Sequence, residues 1–495
     1  MSDIEKNNEG EKKKFRFKFL YVVLFFCIAE VAVACVLGYN LIKLMPTKYM
    51  VVIGGILLIF NILLLLSSKK KWIGIIMIIL SCALTAGMVY CIDILKTVDR
   101  AISQIASNGG NGDGENNEQP QEITNMTILV LKDSTIHKIS DLKEFIISYV
   151  NDDDYEYAKK LMGDIDTAIG GSVQYKEFSQ TITMIDALYA KTVDALIINE
   201  AHIEVIAELE GYGDLLDKTK TIYSSEIISY IDVVENKEPD LERFIVYISG
   251  IDRFGHIGSR SRSDVNILAI VNTKTHHIQL INTPRDYYVL HAKSKGLEDK
   301  LTHAGLYGIN ASKKALEYLY DIHIDFYVKM NFSGFEGIID ALGGIDVYSE
   351  HDFTVEPIKH YTVGMNHLNG LEALAFARER KSFAAGDIQR GKNQMEVIKA
   401  TINKMTSSEM LFNYASVMDK LSWCFQTNME SDHIYELVRE QLADGRSWTF
   451  DSYTVTGKGE YKTTYSTPNS EAWVMIPDMR SVEKAKELIK EALED

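Results

Sequence analysis

Arginine is distributed unevenly along this chain of 495 residues. The chain has 13 arginines, and seven of them fall between Arg253 and Arg390. The guanidinium group is a planar fork that binds phosphate or carboxylate through two hydrogen bonds, whereas lysine offers a point charge. Surface ion pairs are the ordinary alternative for any one arginine. As a set they indicate recognition of an anion, and they are Arg253, Arg260, Arg262, Arg285, Arg378, Arg380 and Arg390.

Two aspartates stand beside apolar segments in the same part of the chain. Asp252 follows Ile251, and Asp264 directly precedes the apolar run Val265–Asn272. Carboxylates at adjacent strand ends could share one hard cation, and Mg²⁺ is typically held by one or two carboxylates together with phosphate oxygens. Solvated loop aspartates are the alternative. The neighbouring arginines favour a Mg²⁺ site.

Two further groups have a spacing that suggests a shared site. Asp387, Arg390 and Gln394 are spaced i, i+3, i+7, which places them on one helical face. Asp387 also suits the N-cap of that helix. Arg378 and Arg380 end another helical run, and they converge only if the chain leaves the helix there.

Arg285 lies in the segment Pro284-Arg285-Asp286, which follows a predicted strand. Ligand sites in α/β folds are usually found at such strand ends.

The elements that must position these residues alternate between strand and helix from residue 241 to 495. The pattern predicts an α/β or α+β sandwich around a mixed sheet, with Val265–Asn272 as a central strand covered on both faces. The other predicted strands are Phe244–Gly250, His277–Asn282, Phe326–Asn331, Ile345–Tyr348 and Trp448–Val455. The predicted helices are Ala311–Tyr320, Gly334–Leu342, Leu371–Ala377, Asp387–Met405 and Ser481–Leu493, with further helix between Met410 and Asp444.

An accessory α/β domain is predicted at residues 126–240, after a flexible linker at 96–125 that is rich in Gly and Asn. The accessory domain contains no arginine. Its predicted strands are Thr127–Leu131 and Asp194–Ile198, and its predicted helices are Ser140–Val150, Asp154–Met162 and Thr181–Lys191.

Three apolar runs within residues 19–95 predict a membrane anchor, since each is near the roughly 20 residues that a spanning helix needs. They are about Phe19–Leu41, Met50–Leu66 and Trp72–Leu95. Glu30 lies within the first run, where a role in helix pairing is favoured over a functional site. The rule that lysine and arginine collect on the cytoplasmic side predicts a cytoplasmic tail at residues 1–18 and extracellular domains after Leu95.

Composition excludes some classes of protein. The net charge of −17 argues against nucleic-acid binding, because phosphate backbones are bound by basic surfaces. Four of the five cysteines lie in the apolar N-terminal runs, so the soluble part has only Cys424 and no intrachain disulfide framework.

Taken together, these motifs resemble the LytR–CpsA–Psr family. The resemblance covers about residues 244–401, and the accessory domain with three spans is similar to the capsule-type branch of the family. The matching stretches are Gly250-Ile251-Asp252-Arg253, Arg262-Ser263-Asp264, Thr283-Pro284-Arg285-Asp286, Asp325-Phe326-Tyr327-Val328, Ile339–Val347, Leu368-Asn369-Gly370, Ala373–Arg380 and Asp387-Ile388-Gln389-Arg390 with Gln394.

The resemblance implies a phosphotransferase that moves a glycan, a teichoic acid or capsular polysaccharide, from a polyprenyl-pyrophosphate carrier onto peptidoglycan. It implies Mg²⁺ at Asp252 and Asp264. It implies catalytic roles for Asp264, Arg285 and Asp387, of which either aspartate could accept the proton of the acceptor hydroxyl. The pyrophosphate would be bound by Arg262, Arg285, Arg378, Arg380, Arg390 and Gln394.

The chain departs from the family pattern at two positions, where Asn393 replaces a frequent arginine and Val265 replaces the usual threonine. The Asn393 change is expected to weaken phosphate binding or to shift the preferred polymer.

The sequence is also compatible with three other functions. One is a cell-envelope-related transcriptional attenuator, against which the predicted extracellular location argues. The others are a non-catalytic sensor of lipid-linked glycans and a hydrolase that cuts the pyrophosphate with water.

Overall fold

A computed structural model describes residues 2–106, 121–171, 173–231, 239–251, 256–407, 410, 417, 420–421, 424–468 and 470–494, with side chains from residue 19 onward. The chain divides into two compact units. The first comprises Met1–Ser103, Ser408–Asp419 and Glu430–Arg446. The second comprises Gln104–Ser407, Lys420–Met429 and Ser447–Asp495.

The first unit contains three helices that are long and apolar enough to cross a membrane, as the sequence predicts. The helices are α1 (Ser2–Leu41), α2 (Thr47–Ser67) and α3 (Lys71–Ala106). Glu30 of α1 is fully buried and accepts hydrogen bonds from Asn61 Nδ2 of α2 at 3.0 Å and from Ser81 Oγ of α3 at 2.5 Å. One carboxylate therefore joins all three helices, in agreement with a pairing role.

Helix α3 continues beyond Leu95 into the segment predicted as linker. Buried Val98 and Ile102 on this extension pack with Leu44 and Tyr435. Tyr435 belongs to the helix Ser431–Asp444, which falls in the first unit and not with the C-terminal sandwich. Apolar contacts therefore keep α3 helical to Ala106.

The accessory domain of the second unit is built on a five-stranded sheet of order β3-β2-β4-β1-β5. Strand β1 pairs antiparallel with β4 and β5, and β2 pairs parallel with β3 and β4. The strands are β1 (Gln121–Leu131), β2 (Ile146–Val150), β3 (Gln174–Phe178), β4 (Ala195–Asn199) and β5 (Thr219–Tyr230). The helices are α4 (Tyr155–Ile169), α5 (Thr181–Tyr189), α6 (Glu200–Ala207) and α7 (Leu215–Lys218).

The predicted helix Ser140–Val150 is wrong. The segment forms a 3₁₀ helix at Ile139–Glu144 and then strand β2. The β-branched residues Ile146, Ile147 and Val150 suit a strand that pairs on both sides, and this tertiary pairing overrides the local helical pattern.

The C-terminal domain is built on a six-stranded mixed sheet of order β16-β11-β6-β7-β8-β17, which confirms the predicted fold class. The pairs β6/β11 and β8/β17 are parallel, and the other pairs are antiparallel. The central strands are β6 (Arg243–Ile251), β7 (Ser263–Asn272), β8 (His277–Asn282), β11 (Phe326–Met330), β16 (Phe425–Thr427) and β17 (Thr449–Thr454).

Helices cover this sheet and short hairpins surround it. The helices are α8 (Leu301–Ala304), α9 (Ile309–Tyr320), α10 (Phe332–Ala341), α11 (Gly370–Arg378), α12 (Asp387–Met405), α13 (Ser431–Asp444, in the first unit) and α14 (Met479–Glu494). The short strands are β9 (Tyr288–Leu290), β10 (Glu298–Lys300), β12 (Ile345–Ser349), β13 (Phe353–Val355), β14 (Lys359–Tyr361), β15 (Gly364–Leu368), β18 (Gly457–Thr463) and β19 (Glu471–Pro477).

Candidate functional site

A β-bulge where β6 meets β7 positions Asp264. Gly250 pairs with Val265 and Ile251 pairs with Ser263, so Asp264 is the extra residue between them. Such a bulge re-aims a side chain out of the regular ladder. Glycine is required at position 250, because a Cβ there would lie 2.7 Å from a methyl carbon of Val265.

Arg285 pairs with the carboxylate of Asp264. Its Nη1 lies 2.7 Å from Asp264 Oδ2, and the hydroxyl of Thr302 donates to Asp264 Oδ1 at 3.0 Å. Burial alone would raise the pKa of Asp264, but the positive charges of Arg285 and Arg390 outweigh burial and hold this pKa below its ordinary value. Asp264 is therefore an ionised carboxylate at neutral pH.

Helix α11 ends at Arg378, which allows Arg378 and Arg380 to point to the same side. Arg378 is the last helical residue, and Glu379 has the extended backbone angles φ −65° and ψ 131°. Both arginines consequently reach the same cavity. The guanidinium carbon of Arg378 lies 4.2 Å from the centre of the Phe332 ring, a cation–π contact.

Helix α12 carries the predicted set Asp387, Arg390 and Gln394. Arg390 Nη2 lies 2.7 Å from Asp387 Oδ1. Gln394 Nε2 donates to the carbonyl of Ala377 at 3.3 Å and so ties α12 to α11. Burial raises the pKa of Asp387 above its ordinary value, against the opposing effects of Arg390 and Arg285.

Close packing of α12 on the sheet depends on Gly391. A Cβ at this position would lie 2.1 Å from the side-chain nitrogen of Asn282 in β8. Glycine therefore lets the helix approach the sheet closely, next to Arg390.

These elements enclose a cavity of about 210 Å³ with two chemically different walls. The polar wall is formed by Asp264, Arg285, Arg378, Arg380, Arg390 and Gln394. The other wall is mainly apolar and is formed by Ile248, Gly250, Ile251, Val265, Met330, Asn331, Phe332, Phe335, Leu374, Ala377 and Ile398. Asp387 does not line the cavity but contacts Arg390, which does.

Arg262 does not line this cavity, although the sequence predicts it there. Its guanidinium contacts two carboxylates of the accessory domain, with Nη1 2.5 Å from Glu208 Oε1 and Nη2 3.3 Å from Glu204 Oε2. The accessory domain packs against the start of β7 and provides these carboxylates, which no local pattern around Arg262 could have indicated.

The predicted metal ligand Asp252 and the neighbouring Arg253 lie outside the described residues. Asp264 and Thr302 offer oxygen donors of the kind that Mg²⁺ prefers. Both carboxylate oxygens of Asp264 are already engaged, by Arg285 and by Thr302. Within the described part of the chain there is no group of three or more His, Cys, Asp or Glu residues that could hold a metal ion.

Asn393 is buried in α12 and faces α11. Its Nδ2 donates to the carbonyl of Phe376 at 3.4 Å, and its Oδ1 accepts from Gln389 at 3.2 Å. Asn393 is not among the residues that line the cavity. The polar contacts of this position are therefore with the protein itself.

Sequence reasoning missed Thr302 and Phe332, which contact Asp264 and Arg378, and the carboxylates Glu204 and Glu208, which hold Arg262. The threonine and phenylalanine stand in ordinary helical sequence. The two glutamates have a helical i, i+4 spacing, but that spacing is common on solvated surfaces.

A model of the LytR_cpsA_psr family matches residues 208–486. Among solved structures, this chain is similar to Bacillus subtilis TagV, with TM-score 0.44, 28% identity, and coverage of 52% of this chain and 99% of that one. TagT bound to LI-WTA is similar with TM-score 0.42, 26% identity, and coverage of 52% and 94%.

Curated relatives are named polyisoprenyl-teichoic acid–peptidoglycan teichoic acid transferases. TagU of Bacillus cereus (strain AH820) is 32% identical over 207 residues, which cover 42% of this chain and 67% of that relative. TagT of Bacillus subtilis (strain 168) is 33% identical over 207 residues, covering 40% and 63%. Because the family model matches more than half of this chain, the chain belongs to the LytR_cpsA_psr family.

Proposed function

We propose that this protein is an extracytoplasmic phosphotransferase that moves a glycan, a teichoic acid or capsular polysaccharide, from a polyprenyl-pyrophosphate carrier onto peptidoglycan. The observation that carries the proposal is the cavity with one cationic wall and one apolar wall. A prenyl pyrophosphate has the same two parts, a charged head and a hydrocarbon tail. The names of the TagU and TagT relatives support the same substrate class.

The arginines of the polar wall would bind the pyrophosphate. Arginine suits this task because its fork can bind two phosphate oxygens at once. Arg285 and Arg390 are largely buried, and each of them contacts an aspartate. Their orientation is therefore fixed before the substrate arrives. Gln394 would hold α12 against α11 and keep Arg390 in place.

The apolar wall would hold the first isoprene units of the carrier. Phe332, Phe335 and Leu374 lie on α10 and α11, next to the arginines. Apolar burial contributes about 25 cal/mol per Å² of buried surface, so a prenyl chain gains affinity from each unit that enters.

In the reaction, a peptidoglycan hydroxyl oxygen would attack the sugar-linked phosphorus. A new bond from oxygen to phosphorus forms, the bond to the bridging oxygen breaks, and polyprenyl phosphate leaves with its negative charge. Arg285 and Arg390 would stabilise the charge that develops on the leaving phosphate. The hydroxyl proton would pass to a carboxylate.

Two carboxylates are candidates for that proton: Asp264, which lines the cavity, and Asp387, which contacts Arg390 beside it. The raised pKa of Asp387 makes it the stronger base, whereas the lowered pKa of Asp264 makes Asp264 a weak one. Asp264 would instead keep Arg285 oriented through their 2.7 Å contact.

Mg²⁺ would be held by Asp264 with Asp252, and it would supply positive charge to the phosphate oxygens. Since Asp264 is engaged by Arg285 and Thr302, the cation would share this carboxylate with them.

The membrane anchor would keep the site beside a lipid that stays in the bilayer. The lysine-rich segments Lys12-Lys13-Lys14 and Lys69-Lys70-Lys71 support an orientation with the N-terminus in the cytoplasm and the soluble domains outside.

The proposal is tested by reconstitution of the full chain in lipid nanodiscs with a labelled polyprenyl-pyrophosphate disaccharide and purified peptidoglycan. We expect labelled peptidoglycan and released polyprenyl phosphate, and we expect release to require peptidoglycan. Release without acceptor would identify a hydrolase instead.

Arg285→Ala and Asp264→Asn should abolish transfer, while Arg480→Ala, which changes an exposed arginine of α14, should leave transfer unchanged. Thermal melts of each variant serve as the control that it is folded. Normal turnover in both site variants would reject the proposal.

A further inference from the structure

The accessory domain contributes carboxylates to arginines of the C-terminal domain, which contains the candidate site and is the catalytic domain of the proposed function. Glu122 of β1 contacts Arg260 at 3.0 Å, and Glu204 and Glu208 contact Arg262. The accessory domain has no arginine of its own. In these ion pairs the accessory domain therefore supplies the carboxylates and the other domain supplies the arginines.

The two groups that meet at Arg262 differ in their exposure. The Arg262 side chain is 11% exposed, whereas the side chains of Glu204 and Glu208 are 63% and 57% exposed. Glu204 lies on α6, and Glu208 follows one turn later at the helix end. Each carboxylate takes one terminal nitrogen of the guanidinium, so both arms of the fork are used.

Ion pairs of this kind orient a side chain but contribute little free energy. Pairs with exposed carboxylates contribute about 0.2–1 kcal/mol each, because water and salt screen them. A pyrophosphate carries more negative charge than a single carboxylate and offers the same bidentate geometry. An incoming pyrophosphate can therefore compete for this guanidinium.

Arg262 is near enough to the cavity for the competition to matter. It stands two residues before Asp264, which lines the cavity and contacts Arg285. Arg262 nevertheless does not line the cavity while the two glutamates hold it.

We propose that Glu204 and Glu208 are positioning residues that hold Arg262 out of the cavity and thereby set the affinity of the site for pyrophosphate. The accessory domain and the phosphates of the donor compete for one guanidinium. This inference rests on the proposed function. It assigns to the accessory domain the role of tuning how tightly the catalytic domain binds its donor.

The test measures binding of geranyl pyrophosphate to the full chain in detergent, at low and at high salt. The double variant Glu204→Gln/Glu208→Gln should bind about three- to tenfold tighter than the unmodified chain, because two weak pairs no longer oppose binding. The gain should shrink at high salt. Glu204→Asp/Glu208→Asp should restore much of the original affinity, and the double variant Glu210→Gln/Glu226→Gln, at two exposed glutamates, serves as a control of equal charge change.

A thermodynamic cycle with Arg262→Ala separates positioning from a structural role. With Arg262 removed, the two Gln substitutions should no longer change the dissociation constant. In a transfer assay, the double variant should lower KM and leave kcat within about twofold.

Unchanged or weaker binding by the double variant, or a gain that persists without Arg262, would overturn the inference. Arg285→Ala reports separately on the proposed function. If the unmodified chain binds geranyl pyrophosphate and Arg285→Ala does not, the function stands whatever the glutamates do. If no variant binds the probe, both proposals fail.

Discussion

Buried cations occur in two regions of the catalytic domain: at the cavity and on the face that contacts the accessory domain. The two sets of cations have different partners. Arg285 and Arg390 pair with aspartates of their own domain and border an open volume. Arg260 pairs with Glu122 of the accessory domain, and Lys329 donates to backbone carbonyls at the same contact. Cations of one domain therefore have separate tasks, one set toward a ligand and one set toward the neighbouring domain.

The comparison shows that an arginine-rich motif does not by itself define a binding site. Arg260, Arg262 and Arg285 occur within 26 residues of sequence, and only Arg285 lines the cavity. What distinguishes them is the partner of each guanidinium. Replacing one cation at a time should therefore show which of the two tasks that cation performs.

Arg260→Ala should have the largest effect, and the effect should be on stability. Arg260 is buried beside Glu122, contacts the ring of Tyr157 and lies 3.9 Å from Asp154. Breaking a buried ion pair leaves an uncompensated charge and costs about 3–5 kcal/mol. Denaturant unfolding of the full chain in detergent should show this loss, while the folded variant should bind geranyl pyrophosphate as before. Weaker binding with normal stability would place Arg260 with the cavity arginines.

Arg390→Ala should have a slightly smaller effect and should act on catalysis. Loss of one group that stabilises developing charge costs about 10²–10³-fold in rate, or about 3–4 kcal/mol. Transfer in the nanodisc assay should fall by this factor. Arg390→Lys should restore little of it, because an ammonium cannot form the bidentate contact. Full activity of either variant would contradict the role of Arg390.

Lys329→Met should have the smallest effect, which should appear in the pH dependence of the free energy of unfolding. Burial lowers the pKa of Lys329 to about 8. Between pH 8 and the ordinary pKa of about 10.4, the unfolded chain binds this proton and the folded chain does not, so stability rises with pH. The rise amounts to about 3 kcal/mol. Unfolding curves across this pH range should lack this contribution in Lys329→Met. The same slope in both proteins would show that Lys329 keeps its proton when folded.

The fold could be predicted where residue patterns are local and strong. Strand His277–Asn282 and helix Asp387–Met405 have the predicted bounds, because apolar run length and helical spacing define them without reference to distant residues. Strand β2 was missed because its pairing with β3 and β4 overrides its helical pattern. The hairpin of β18 and β19 was also missed, because most of its residues are exposed and give no apolar pattern.

The sequence could predict those residues of the candidate site whose placement depends on their own local motif. Arg285, Arg378, Arg380, Arg390 and Gln394 share the cavity with Asp264 because each follows a strand end, ends a helix or lies on one helical face. The placement of Arg262 could not be predicted, since it depends on glutamates that are distant in sequence and belong to another domain. Asp252 lies outside the described residues, so its predicted role stays a prediction.

An experimental structure of the full chain with a bound polyprenyl pyrophosphate tests the central claim most directly. The claim predicts phosphate oxygens within hydrogen-bond distance of Arg285 and Arg390, with the prenyl chain against Phe332, Phe335 and Leu374. A pyrophosphate bound outside this cavity, or a prenyl chain that avoids the apolar wall, would contradict it.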